Sequence, residues 1–161
     1  MTIRAAAHHA IVFAGAVLAT AVAASIVQTQ INLAALTALG APVTPGLRAL
    51  TTLQDVAFFG PVMAAITAAA FLPAFAAVRL ISGFVPFGGV VLHAVAGAVG
   101  LWAAFHLMGH FTPMPTLVAA ARTPGGLLAL CLTGTVGGAL YAHARGRRPF
   151  GKPTDGASFG T

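Results

Sequence analysis

Charged side chains are scarce in this sequence. Of its 161 residues, 6% are Asp, Glu, Lys or Arg, and only two of these are acidic. A soluble domain usually carries about 25% charged residues, so this chain lacks the polar side chains needed to cover a globule in water. The composition excludes an ordinary soluble domain and favours a protein that folds within a lipid bilayer.

The sequence has a single cysteine and none of the common catalytic motifs. The single cysteine, Cys131, lies in an apolar run and cannot form an internal disulfide, so we interpret it as an inert core residue. The sequence has no P-loop, no GxSxG, no CxxC and no Ser/His/Asp set. We therefore expect that this chain is not an enzyme by itself.

Long apolar runs are abundant, and 58% of the residues are hydrophobic. A helix needs about 20 predominantly apolar residues to cross the hydrocarbon core of a membrane. Four runs are long enough: Ala5–Val27, Leu53–Val78, Phe84–Met108 and Pro124–Ala144. The sequence therefore predicts an all-α domain of four transmembrane helices over residues 1–144, followed by a basic tail, 145–161.

The first run also has features of a signal peptide. It follows a short basic start, MTIR, and contains the small-residue stretch ATAVAAS, which resembles a cleavage site. The apolar stretch nevertheless continues to Val27, beyond the usual length of a signal sequence. We expect it to remain as a membrane span.

Proline and capping patterns indicate where the helices begin. Pro86 and Pro124 fall in the predicted first turns of the third and fourth spans, where a missing N–H has no cost. Pro61 and Pro73 fall inside the second run, so we expect kinks there. The pattern of Thr52 with a carboxylate three residues later predicts a capping box before the second span.

That carboxylate, Asp55, is the only acidic side chain near a predicted span. We expect it to cap the first turn of the second helix, with a salt bridge to Arg48 or Arg122 as a possible addition. The alternative is a role in carrying protons or ions, since transport requires an ionisable group inside the membrane. The spans offer little other polar lining, which argues against a transporter.

The basic residues predict the orientation of the bundle rather than a nucleic-acid surface. Six of the eight lie at the N-terminus, beside the second span and in the tail, at Arg4, Arg79, Arg145, Arg147, Arg148 and Lys152. By the positive-inside rule, both termini face the cytoplasm. The connections 28–52 and 109–123 then face outward, and their apolar pieces INLAALTALG and TLVAAAR are candidates to lie in the membrane interface.

Glycines recur at the spacing that allows membrane helices to approach closely. Gly134 and Gly138 form a GxxxG pair in the fourth span, while Gly89 and Gly97 flank His93 on one stripe of the third. Small residues promote helix packing in lipid because they let backbones meet. The pattern does not distinguish packing within this chain from packing against a partner.

His93 is predicted about eight residues into the third span, near the middle of the membrane. An ionisable side chain at that depth usually faces a partner group inside the bundle. The simplest partner is a carbonyl of a neighbouring helix; a haem, a quinone or a pigment would also be compatible. A haem could alternatively be held between His8 or His9 and His143, at the cytoplasmic ends of the first and fourth spans.

The segment HLMGHFTPMP places two histidines four residues apart. Trp102, His106 and His110 share one helical stripe, and Met114 follows a proline that could return it toward them. Imidazole and thioether ligands, with Met108 as a further candidate, would suit Cu(I). The alternative is a belt of amphipathic side chains at the membrane interface.

The tail, RGRRPFGKPTDGASFGT, is too polar to pack by itself. We expect Arg145, Arg147 and Arg148 to contact anionic lipid headgroups or a partner protein, with Phe150 as an anchor on that partner.

These observations lead to one functional expectation and two alternatives. The expected function is that of an accessory, non-catalytic subunit of a larger, energy-transducing complex in a bacterial inner membrane, with other integral membrane subunits and lipids as partners. The first alternative is a small protein that binds haem, a quinone or a pigment through His93. The second is a copper-handling protein that uses His106 and His110.

Overall fold

The computed structural model describes residues 3–84, 88–111 and 118–146, and all secondary structure in these ranges is helical. Its elements are α1 (Ile3–Ala38), α2 (Pro45–Phe58), α3 (Gly60–Ile81), α4 (Gly89–Phe111), a short 3-10 helix (Ala119–Arg122) and α5 (Pro124–Gly146). Four of them, α1, α3, α4 and α5, are long and apolar enough to span a membrane. The predicted all-α, multi-pass membrane protein with four candidate transmembrane helices is confirmed.

The four long helices form an antiparallel bundle. Both α1 and α4 pack between α3 and α5. Near the start of α1, Phe13 contacts Phe75 and Tyr141, which lie toward the ends of α3 and α5. Neighbouring helices therefore run in opposite directions, as in an up-down-up-down bundle. We call the end where α1 and α4 begin the N-terminal end, and the opposite end the α2 end.

Large side chains fill the bundle centre and also cover its outside. Phe71, Met63, Leu101 and Leu130 are fully buried. The outer faces carry exposed leucines and valines, such as Leu132, which is 65% exposed. Because lipid is as apolar as these side chains, their exposure has no hydrophobic cost, and packing rather than water exclusion must hold the helices together.

The helices α4 and α5 approach each other closely at the predicted glycine stripes. A Cβ on Gly97 would collide with the carbonyl group of Gly134, and one on Gly138 would collide with the carbonyl of His93. Both collisions involve backbone atoms, which cannot rotate aside. These three glycines therefore permit packing within the chain, whereas Gly89 has open space around its Cβ position.

The first helix is longer than the predicted first span. It continues through Gln28–Gln30 and includes most of the INLAALTALG piece, whose position in the membrane interface stays a prediction. The helix ends where Gly40 adopts a positive φ of 86°. The amides of Gly40 and Ala41 donate to the carbonyls of Thr37 and Leu36, the double hydrogen bond of a Schellman cap.

The predicted capping box at Thr52 is also wrong. The helix that contains it, α2, begins after Thr44, whose hydroxyl accepts a hydrogen bond from the Leu47 amide. Asp55 consequently lies in the last turn of α2, and α3 begins only at Gly60. Pro61 is then in the first turn of α3, where it needs no kink, while Pro73 lies inside α3 as expected.

The TLVAAAR segment, where the structure describes it, packs against the bundle. Val118 and Ala120 are buried, and the 3-10 helix contacts α5 and α1. Thr123 then caps α5, since its hydroxyl accepts a hydrogen bond from the Gly126 amide at 3.1 Å. The expected start of the fourth span at Pro124 is confirmed.

Candidate functional site

His93 lies nearer to a helix end than the sequence indicated. Because α4 begins at Gly89 rather than Phe84, His93 is its fifth residue, about 6 Å along the axis from the first residue. The predicted position in the middle of the span is therefore wrong. The residue belongs to the N-terminal end of the bundle, where α3 and α5 finish.

The His93 ring is buried, and only one of its two nitrogens has a hydrogen-bond partner among the described residues. The side chain is 6% exposed, and its Nδ1 lies 2.7 Å from the carbonyl oxygen of Gly89, one turn earlier. A carbonyl only accepts, so this contact places the proton on Nδ1 and leaves Nε2 with a lone pair in the neutral ring. Nε2 is buried and has no hydrogen-bond partner among the described residues.

Aromatic rings from two other helices surround His93. The ring centroids of Phe75 and Tyr141 each lie 5.3 Å from that of His93. The two rings also stack on each other, with centroids 4.7 Å apart. This aromatic cluster holds the imidazole in one orientation.

A cavity of about 390 Å³ opens beside this cluster at the N-terminal end. It lies between the last turns of α3 and α5 and the first turn of α4. Its polar lining comes from Arg79, Ser82, His93 and Arg145. The cavity is therefore small, basic and adjacent to an imidazole that lacks a partner.

The arrangement places a buried imidazole lone pair beside a cavity that two arginines line. The residues that the structure describes contain no group of three His, Cys, Asp or Glu side chains that could hold a metal ion. The His8 and His9 rings lie 5.8 Å from each other, and His143 is exposed. The binding of a haem, a quinone or a pigment at His93 therefore stays a prediction. The candidate atom for such a contact is Nε2 of His93.

The two histidines of the HLMGHFTPMP segment lie exposed on α4. The His106 ring packs against that of Trp102 with ring centroids 4.2 Å apart and a tilt of 35° between the planes, and its Nδ1 lies 3.0 Å from the Trp102 carbonyl oxygen. His110 contacts the ring of Phe111. Met114 lies outside the described residues, so the copper site stays a prediction based on two exposed imidazoles.

A second polar cluster joins α1 to α2 at the opposite end of the bundle. The Thr29 hydroxyl lies 2.6 Å from Oδ2 of Asp55, and Gln30 donates to the Thr52 hydroxyl at 3.0 Å. Arg48 donates to the Gln30 side chain at 2.7 Å rather than to Asp55. The carboxylate is thus an interhelical hydrogen-bond acceptor, and the expected helix cap is replaced by a clamp between α1 and α2.

Replacing Asp55 by alanine is expected to lower the free energy of unfolding by about 1–2 kcal/mol. The change removes the only carboxylate of the clamp, while the Thr29 hydroxyl keeps its second acceptor, the Ser25 carbonyl oxygen at 2.8 Å. The measurement is unfolding by SDS in mixed micelles, followed by circular dichroism. Gln54→Ala, at the exposed neighbouring position, is the control and should leave the midpoint unchanged.

Asp55→Asn tests whether the clamp depends on a hydrogen-bond acceptor at this position rather than on its charge. The amide oxygen still accepts from Thr29, so this variant should recover most of the lost stability. A variant as unstable as Asp55→Ala would contradict the hydrogen-bond account.

Arg79, which lines the cavity, and Tyr141, whose ring contacts that of His93, were not predicted as site residues. Arg79 was interpreted only as a topology signal, and Tyr141, the single tyrosine of the chain, was not singled out. Arg145, expected to serve tail docking, lies in the last turn of α5 and lines the cavity. The other predicted tail contacts, Arg147, Arg148 and Phe150, lie outside the described residues.

Protein-family models, curated proteins and solved structures were each compared with the chain, and none of them matches it.

Proposed function

We propose that this chain is an accessory, non-catalytic membrane subunit that packs against a transmembrane helix of a partner protein. The observation that carries the proposal is an open apolar groove along the outer surface of α3 and α4, with a volume of about 1130 Å³. We place it in a larger, energy-transducing assembly of a bacterial inner membrane, and the distribution of basic residues supports an orientation with both termini in the cytoplasm.

The groove is as long as a membrane is thick. It is lined on α4 from Val91 to Phe111, which corresponds to about 30 Å of helix, the thickness of a hydrocarbon core. On α3 it extends from Ile66 to Ile81. A transmembrane helix of a partner could therefore lie along most of its length.

Small residues form much of the groove wall. Ala69, Ala77 and Ala103 are exposed there, and Gly100 lies at its base, where a Cβ would come within 3.0 Å of the Ala70 carbonyl oxygen. Small residues let a second backbone approach closely, which is the main source of association between membrane helices. The glycines of the α4–α5 contact are already used within the bundle, so a partner helix would need other small residues such as these.

Pro73 favours a protein helix over lipid chains as the occupant. A proline inside a helix has no N–H to donate to the carbonyl four residues earlier, here that of Ala69. Both residues line the groove. A hydroxyl or amide on a partner helix can satisfy that carbonyl, whereas an acyl chain cannot.

The test is purification of the tagged protein from its native membrane in gentle detergent, followed by mass spectrometry of the subunits that remain in stoichiometric amounts. Ala77→Phe and Ala103→Phe, which fill the groove, should each reduce recovery of the partner about tenfold or more. Ala19→Phe, on the exposed face of α1, is the matched control and should retain the partner.

The proposal fails if no stoichiometric partner is recovered, or if the groove variants and the control retain it equally. Because all three alanines are exposed, the purified variants should keep the melting temperature of the parent protein, which separates loss of binding from loss of folding.

A further inference from the structure

We infer that the cavity at the N-terminal end binds the headgroup of an anionic phospholipid, held by Arg79 and Arg145 at its phosphate and by His93 at a headgroup hydroxyl. The inference is independent of the partner subunit proposed above. It concerns a site that the purified chain carries by itself.

The charge in the cavity has no counterpart within the described residues. Arg79 and Arg145 both line it, and neither forms an ion pair there. The only carboxylate in the described ranges is that of Asp55, in α2, and about 28 Å of α3 separates Gly60 at the α2 end from Arg79. Two guanidinium groups in one small cavity therefore form a site for an anion, and planar guanidinium forks match phosphate oxygens well.

Helix ends explain part of this arrangement but not all of it. A basic residue in the last turn of a helix interacts favourably with the helix dipole, which accounts for one arginine on α3 and one on α5. It does not account for their sharing a cavity with a buried imidazole. The first turn of α4 adds further preference for an anion, because Gly89 and Val90 line the same cavity and amides at a helix start lack helical acceptors.

His93 adds a requirement that a bare anion does not meet. With the proton on Nδ1, the unpartnered Nε2 is an acceptor and needs a donor. A ligand that carries both a phosphate and a free hydroxyl satisfies the arginines and the histidine together. The phosphoglycerol headgroup of phosphatidylglycerol has this combination, and so does free glycerol phosphate.

The position of the cavity favours the lipid as the source of this chemistry. Val78 lines both the cavity and the end of the apolar groove between α3 and α4. A headgroup bound at the arginines would thus have apolar surface directly beside it for the first methylene groups of its acyl chains, at the end of the groove, which leaves the rest of the groove to a partner helix. Basic pockets between transmembrane helices are known to suit anionic headgroups for the same reason.

The experiment is native mass spectrometry of the purified full-length protein from micelles doped with one of three chain-matched lipids. Phosphatidylglycerol supplies charge and hydroxyl, phosphatidylmethanol supplies the charge alone, and phosphatidylcholine has no net charge. We expect retention in that order. Arg79→Gln combined with Arg145→Gln should reduce retention of phosphatidylglycerol about tenfold or more. Arg48→Gln combined with Arg122→Gln, which removes the same number of charges at the other end of the bundle, should not.

His93→Phe tests the hydroxyl contact separately. It should abolish the preference for phosphatidylglycerol over phosphatidylmethanol while keeping the preference for both over phosphatidylcholine. Equal retention of the three lipids by the parent protein, or unchanged retention by the double arginine variant, would overturn the inference. Displacement of the lipid by millimolar glycerol phosphate or inorganic phosphate would overturn the lipid as the source and assign the site to a soluble phosphate.

Discussion

Replacing Gly138 by alanine is expected to lower the free energy of unfolding by about 3 kcal/mol. The added Cβ would collide with the carbonyl group of His93 and would lie 3.0 Å from Cα of Ala94. Because these are backbone atoms, α4 and α5 must move apart to accommodate the methyl group. That movement also loosens the contact between Gly97 and Gly134, and it displaces His93 relative to Arg145. The measurement is SDS-induced unfolding in mixed micelles, followed by circular dichroism.

Gly15→Ala provides the matched control. Gly15 lies in α1 and has nothing within 4 Å of its Cβ position. The same substitution there should be neutral, or should stabilise the helix by up to about 1 kcal/mol through its higher helix propensity. Equal midpoints for the two variants would contradict the close α4–α5 packing.

Replacing Phe71 by alanine is expected to lower the free energy of unfolding by about 2–3 kcal/mol. Phe71 is fully buried at the centre of the bundle, its ring centroid lies 4.7 Å from that of Phe75, and its ring atoms lie 3.1 Å from the Cβ position of Gly137. In a membrane protein the side chain gains little from leaving water, so most of the cost is that of the cavity and the lost dispersion contacts. The same unfolding experiment measures it.

Leu72→Ala, at the adjacent residue, tests whether the loss of stability comes from a cavity in the bundle centre. Leu72 is 61% exposed and faces the surroundings of the bundle. Lipid chains can fill the space that its side chain leaves, so the midpoint should change by less than about 0.5 kcal/mol. A Leu72 variant as unstable as the Phe71 variant would contradict the assignment of Phe71 to the centre of the bundle.

The helix boundaries show which features of the fold local sequence patterns can predict. Pro124 marks the start of α5 correctly, because a proline at a helix start acts through its own ring and missing N–H. The end of α1 was misplaced because Gln28–Gln30 reduce apolarity without breaking a helix, and only Gly40 supplies the conformation that ends it. Polar residues set the length of the apolar run that can cross a membrane, whereas backbone conformation sets where the helix ends.

Asp55 shows where a local pattern fails. Its spacing from Thr52 is that of a capping box, yet Asp55 lies 2.6 Å from the hydroxyl of Thr29, 26 residues away in sequence. The real cap, Thr44, is itself a common capping residue followed by a proline. Thr52 lies inside the same helix, where its hydroxyl donates to the carbonyl oxygen of Arg48 one turn earlier.

The candidate site, like the helices, was predictable from the sequence only in part. Composition and run length by themselves determined that this is a helical membrane protein with four candidate spans, because hydrocarbon leaves a chain few ways to satisfy its backbone. The glycine stripes and the buried histidine were also visible in the sequence. Only the tertiary structure decided that Gly97 and Gly138 meet α5 and α4 of the same chain, and that Phe75, Tyr141, Arg79 and Arg145 gather around His93. Span formation depends on the polarity of each segment alone, whereas the neighbours of a side chain depend on which helices pack together and at what depth.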